Sequence, residues 1–193
     1  MIVKEEQQFY TADDLWELSH DPDRRHSRYE LSGGLLIEMA PAGSNHGRLA
    51  LRIGHKVLDY IETDDYAIGE ATGAETGFIL GKTAAGHDVV RAPDVGFIAR
   101  ARVPASGLPD GYFPGAPDLA IEVVSPNDRP YEIDQKLGEY LHFGTRLIWF
   151  IYPSTQIVYV YTPGATRRLT ADDTLDGGDV LPGFALPVRA LFE

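Results

Sequence analysis

The chain has 193 residues, no cysteine and a formal net charge of −12. Without cysteine there are no disulfides, thiolate metal sites or cysteine nucleophiles, which suits a reducing compartment. The acidic balance excludes a non-specific nucleic-acid coat, because such binding neutralises phosphates with lysine and arginine. A local basic rim is still available at Arg24-Arg25-His26-Ser27-Arg28, Arg100-Ala-Arg102 or Arg167-Arg168. With 44% hydrophobic and 24% charged residues the composition is ordinary globular, and residues 1–193 read as one domain. The N-terminus lacks a signal-peptide core and no segment approaches ~18 apolar residues, so the expectation is a cytoplasmic protein that meets no membrane.

In chain order, Thr11-Ala-Asp-Asp14 is a capping-box-like start with Leu15, Trp16 and Leu18 after it, which predicts a short helix closed by Ser19-His20-Asp21-Pro22. Tyr29 to Met39, with Ser32-Gly33-Gly34 in the middle, predicts a hairpin. Leu49, Ile53, Val57 and Ile61 recur every four residues, so a helix runs from Ser44 or Asn45 to about Glu62. Ala67–Leu80 reads as one irregular strand and Val89–Ala99 as the next, with Val103–Pro114 a long loop. Leu119, Ala120, Ile121, Val123 and Val124, bounded by Pro117 and Pro126, read as a strand buried on both faces. A helix starting at Pro130 carries Ile133, Leu137 and Leu141 and stops at Gly144. Leu147–Tyr152 and Gln156–Tyr161 are antiparallel partners, and the tail is polar until Leu181-Pro-Gly-Phe184.

Glu122 interrupts the buried strand. An unpaired carboxylate is expensive to bury, so it needs a cation, a proton or an open edge. Its plain reading is a strand-end salt bridge and its sharper one a metal ligand. Asp94 follows Pro93 on one strand, Glu122 lies on the next, and Lys136 lies on the helix after that. Two carboxylates on neighbouring strands can meet at one divalent cation, for which oxygen donors suit Mg²⁺. A lysine nearby can stabilise charge on a phosphoryl group. Together these supply what phosphodiester hydrolysis needs. Each residue also has a plainer role: Lys136 as the i+4 partner of Glu132, Asp94 as a turn cap. Asp118 is a rival acid, but four strand residues from Glu122 span ~13 Å, too far to share one ion. Glu30 or His46 is expected on the wall of the same cleft, although a lone histidine at a helix start is more often structural. Tyr159 and Tyr161 alternate on a strand, which reads as sheet-face packing or a dimer surface rather than a base-stacking platform.

The chain resembles the Uma family of bacterial restriction-endonuclease-like proteins within the PD-(D/E)XK nuclease superfamily. Tyr29-Glu30-Leu31 with Gly34 and Met39, His46, Ala92-Pro-Asp-Val95, Gly115–Pro126, Lys136 with Tyr140 and Gly144, Leu147–Tyr152 and Leu181–Phe184 carry the resemblance. It implies an α/β (α+β) restriction endonuclease-like core: a central mixed sheet flanked by helices, with an N-terminal helix and hairpin. It further implies Asp94, Glu122 and the Val123 carbonyl as ligands of Mg²⁺ or Mn²⁺, Lys136 as the catalytic cation, and DNA as substrate. Three positions depart from the pattern. Val124 stands where the superfamily has lysine, which leaves Lys136 to reach back from the helix; Glu132 stands where aspartate is expected; and Tyr152 replaces an aspartate before Pro153.

Two functions of different class are therefore expected. One is a metal-dependent endonuclease, with a homodimer supplying two centres for double-strand cutting. The other is a nuclease-like fold kept as a binding or assembly module without hydrolysis, favoured by the net charge and by Val124. A glycosidase with paired carboxylates has little support, since no sugar-site context surrounds the second carboxylate.

Overall fold

The computed structural model describes residues 7–23, 27–63 and 68–193. The first candidate basic rim lies partly outside them. Helix α1 (Ala12–His20) starts on a complete capping box between Thr11 and Asp14. The hairpin β1 (Arg28–Ser32) and β2 (Leu35–Met39) forms as expected and pairs antiparallel, with Ser32 opposite Leu35. Helix α2 spans Ser44–Ile61 and buries Leu49, Ile53, Val57 and Ile61, the four residues of its predicted stripe. Each such side chain stabilises the fold by about 1.5–3 kcal/mol when fully withdrawn from water. No helix among the described residues is long and apolar enough to cross a membrane.

The two predicted single strands are each broken in two. Ala67–Leu80 becomes β3 (Gly69–Gly73) and β4 (Phe78–Lys82), and Val89–Ala99 becomes β5 (Asp88–Arg91) and β6 (Val95–Ala99). β3 pairs with β6 and β4 with β5, both antiparallel, so this is one long hairpin folded across two sheets. The corner on one arm is Ala92-Pro93-Asp94. Pro93 has no N–H to give a ladder, and the Ala92 N–H donates to Glu30 Oε1 at 2.9 Å instead of to a strand. On the other arm the chain turns at 74–77. The bend brings the sheets into contact: the Phe78 ring lies where a Cβ on Gly96 would be, 2.6 Å away.

The first sheet has the order β2-β1-β5-β4-β7, with β7 the short strand Phe113–Pro114 inside the predicted loop. The second has the order β11-β10-β9-β8-β6-β3. Here β8 is Leu119–Val123, β9 Leu147–Tyr152, β10 Ile157–Thr162 and β11 Ala165–Leu169. β8 is internal, parallel to β9 and antiparallel to β6. Alternation sends Leu119, Ile121 and Val123 to the face covered by α2, while Ala120 joins the cluster under α3 (Pro130–His142). Glu122 therefore points to the α3 face.

The tail is more structured than its polarity suggests. β11, the hairpin of β12 (Thr174–Gly177) and β13 (Leu181–Pro187), and α4 (Arg189–Phe192) follow Pro163. Leu175, Leu181, Phe184, Val188 and Leu191 pack on the α2 side of the second sheet. Their single apolar residues among polar neighbours give only weak periodicity.

Ile121, wholly buried between two strands, is expected to cost ~2–5 kcal/mol on truncation to alanine. Leu51→Ala, at a residue 76% exposed on α2, should stay within ~0.5 kcal/mol of wild type. Urea unfolding of the two variants measures the difference.

Candidate active site

The end of β8, the corner before β6, the start of α2 and the inner face of α3 meet in a cleft of about 890 Å³, lined among others by Glu30, His46, Asp94, Glu122, Val123 and Lys136. The sequence-predicted residues are thus brought together. Lys136 is the hub. Its Nζ lies 3.1 Å from both oxygens of Glu122 and 3.3 Å from Glu30 Oε1. Glu132 is engaged elsewhere, with the Arg129 N–H and the Tyr131 hydroxyl. The i,i+4 helix pair is therefore not the role of Lys136.

Tyr140, one turn further along α3 on the same face, donates its hydroxyl to Glu122 Oε1 at 2.8 Å. Arg91, at the end of β5, donates to Glu30 Oε2 at 2.8 Å and to Glu139 Oε2 at 2.5 Å. Glu139 also accepts from Ser32, which in turn accepts from Gln135. Glu30, only 2% exposed, is satisfied by Arg91, Lys136 and the Ala92 N–H. Removing one partner of a buried pair strands a charge at a cost of ~3–5 kcal/mol, so the network is held as a unit.

Asp94 is held from two sides. Oδ2 accepts the Val123 N–H at 2.7 Å, and Oδ1 faces His46 Nε2 at 2.8 Å. His46 Nδ1 lies 3.1 Å from the Ser125 hydroxyl. The observed contact at Val123 is its N–H, which fixes Asp94 at the end of β8. Asp118 lies at the other end of that strand. It accepts from Arg146, Arg102 and the Ala99 N–H, as a structural anchor.

The electrostatics separate the two carboxylates that share Lys136. Burial opposes the charge of both. Lys136, Arg91 and the Ala92 N–H overcome it at Glu30, whose pKa falls below the ordinary value. At Glu122 burial wins: Lys136 opposes it, but Asp94 and Glu30 add repulsion, and the carboxyl is pushed up to about 7. Lys136 is itself disfavoured by burial, yet Glu122 and Glu30 hold its pKa above the ordinary lysine value. The hydrogen bond to Asp94 raises His46 against its burial.

The donor set is chemically suited to a hard divalent cation. Asp94 and Glu122 offer oxygen ligands, and their mutual repulsion is what added positive charge would relieve. Among the described residues no group of three or more His, Asp and Glu side chains is spaced to hold a metal. A cation here would rest on two carboxylates, with main-chain oxygen and water completing its shell.

The family model named Uma2, "Putative restriction endonuclease", matches residues 12–189. The chain belongs to the Uma2 family. A solved structure described as "a putative nuclease belonging to DUF820 from Anabaena variabilis ATCC 29413" resembles this Uma2 protein with a TM-score of 0.79 and 22% identity, over 94% of this chain and 97% of that one. At that identity the likeness is one of fold, and the fold is the mixed α/β, nuclease-like one expected. No curated protein matches the Uma2 chain.

Sequence reasoning missed Arg91, Glu139 and Ser125 as site residues, and Tyr140 entered only through the resemblance. The signals were present: Arg91 is three residues before Asp94, and Glu139 and Tyr140 follow Lys136 by three and four. In the Uma2 fold each lies one helical turn or one strand corner from a residue already singled out.

Glu122 has a pH consequence. Between its ordinary value of 4.5 and about 7, the folded protein keeps a proton that the unfolded chain has released. The folded state binds more protons there, so this group's contribution to stability falls as pH rises through that window. Glu30, held low, acts below it in the opposite sense. In EDTA, the melting temperature of Glu122→Gln relative to wild type should rise from pH 4.5 to 7 and then level off. Parallel profiles for the two proteins would refute the assignment.

Proposed function

We propose that this protein is a divalent-metal-dependent endonuclease that hydrolyses DNA phosphodiester bonds. The observation that carries the reading is the juxtaposition of Lys136 with Glu122, beside an Asp94 fixed to the same strand end. Family membership supports nuclease chemistry as the class.

In this reading Asp94 and Glu122 hold Mg²⁺ or Mn²⁺, with the Val123 carbonyl as a further ligand. The ion, when bound, supplies Lewis acidity towards a phosphoryl oxygen and lowers the pKa of water. The protein's own residues do the rest. Lys136, oriented by Glu30 and Glu122, presents fixed positive charge where the phosphoryl oxygens gain negative charge in the transition state. Arg91 and Glu139 keep Glu30 in place and so keep Lys136 from swinging away. His46, held between Asp94 and Ser125, orients the Asp94 carboxylate. The protein would work in the cytoplasm, and a homodimer would supply the second centre that double-strand cutting needs.

Lys136→Ala should lower turnover by ~10²–10³, as for the loss of one electrostatic stabiliser, and Lys136→Arg should restore only part, since a guanidinium places its charge differently. The assay is Mg²⁺-dependent cleavage of supercoiled and linear DNA against Glu122→Gln as the inactive control. Wild-type cleavage no faster than that control would favour the binding or assembly module. Mg²⁺ or Mn²⁺ should also raise the melting temperature of wild type, because a ligand bound only to the folded state stabilises it, and should leave that of Glu122→Gln unmoved.

A further inference from the structure

The cleft extends well beyond its carboxylates. Its far wall is built from α1 and the segment before β7: Trp16, Ser19 and His20 on one side, Tyr112 on the other. Trp16 is 37% exposed. Its ring meets Tyr112 edge-on, with centroids 5.1 Å apart, and His20 covers another part of it at 4.2 Å.

This wall is built rather than incidental. The Tyr112 hydroxyl is 3.1 Å from the Ser19 hydroxyl, and the ring lies against Gly77, where a Cβ would approach it to 2.3 Å. α1 is itself anchored. Buried Asp88 accepts the Ala12 N–H at 2.9 Å, and Leu15, next to Trp16, is fully buried with Leu31 and Val90. A rigid, half-exposed indole therefore faces the same cavity as Glu122 and Lys136.

The charges of the cleft make that wall informative. Among its described lining residues the lysines and arginines are Arg28, Arg91 and Lys136, against five carboxylates. All three cations are already paired: Arg28 with Glu75, Arg91 with Glu30 and Glu139, and Lys136 with Glu30 and Glu122. Gripping a duplex by its backbone takes several phosphate-neutralising cations, and among the described lining residues carboxylates outnumber them five to three. Stacking of bases on aromatic rings is the other general source of nucleic-acid affinity, and it needs no cation but does need an unpaired base. The volume also fits a nucleotide-sized ligand, since about 890 Å³ lies within the ~300–1,000 Å³ of small-ligand pockets.

We propose that the Trp16–Tyr112 wall takes an unpaired nucleobase by stacking, so that the substrate reaching Glu122 and Lys136 is single-stranded or locally opened DNA. This rests on the nuclease reading and names its substrate form. In sequence Trp16 is indistinguishable from the other apolar residues of α1.

The test is binding, so it stands apart from cleavage. A labelled oligothymidine strand, and a blunt duplex of the same length, are titrated with the protein in Ca²⁺ in place of Mg²⁺, read by anisotropy and by tryptophan emission. Trp149 is wholly buried and provides a constant background, so quenching reports Trp16. The single strand is expected to bind and quench, and the duplex to bind more weakly. Trp16→Leu should weaken single-strand binding by roughly 5- to 150-fold, the equivalent of one stacked base, and Trp16→Phe should restore most of it. Duplex binding as tight as single-strand binding, equal affinity in Trp16→Leu, or no binding of the single strand would each overturn the proposal. Loss of Glu122-dependent cleavage with Trp16-dependent binding intact would instead remove the nuclease reading alone.

Discussion

One ammonium group shared by two buried carboxylates sets the terms for the rest of the molecule. Lys136 lies within 3.3 Å of Glu30 and 3.1 Å of Glu122, in a space where neither acid can be left alone. With both acids ionised, such a cluster cannot be neutral with a single lysine. The protein supplies Arg91 on the Glu30 side and leaves the Glu122 side short of positive charge. That asymmetry separates an acid held ionised from one whose carboxyl is pushed up to about 7, within a single network. It also explains why so much of the surrounding fold is committed. α3 must present Lys136, Glu139 and Tyr140 together, and β1, β5 and β8 must each end a side chain at the same point.

Much of the fold was legible because its long elements follow simple periodicities. The α2 stripe, the α3 stripe and the apolar runs of β8 and β9 are strong patterns, and all four appear where they were read. What was not legible was the folding of one hairpin across two sheets. Periodicity cannot report a bend, since Val89–Ala99 is largely apolar on both sides of Pro93. A proline in an apolar run was the available clue, and the run reads as one strand without it. The tail offered little to read for the opposite reason. Its hairpin needs just a few apolar residues facing inward, and its exposed face dominates the local composition.

The site was legible in its ionised residues and obscure in their support. Asp94, Glu122 and Lys136 stood out because charge in apolar context is conspicuous. Arg91, Glu139 and Ser125 did not, because a charged or polar residue near a strand or helix end is the usual state of affairs. Their roles come from pairing across the fold, 48 residues apart for Arg91 and Glu139. The plain alternatives fared differently at different residues. Asp118 is a structural anchor, paired with Arg102 and Arg146, while the helix pair between Glu132 and Lys136 is not formed.

The corner between β5 and β6 carries a further consequence for how such a chain can change over time. Arg91 is tethered to Glu30 and Glu139, and Asp94 to Val123 and His46, so two fixed points on different sheets are separated by just Ala92 and Pro93. There is no slack to absorb an inserted or deleted residue. A change of length there would detach either the support of Lys136 or the acid itself. The segment between Val103 and Gly111 is mostly exposed and carries none of these tethers, so length can vary there without moving either. Length variation among descendants of this fold should therefore collect in that outer loop and be purged from the two-residue corner.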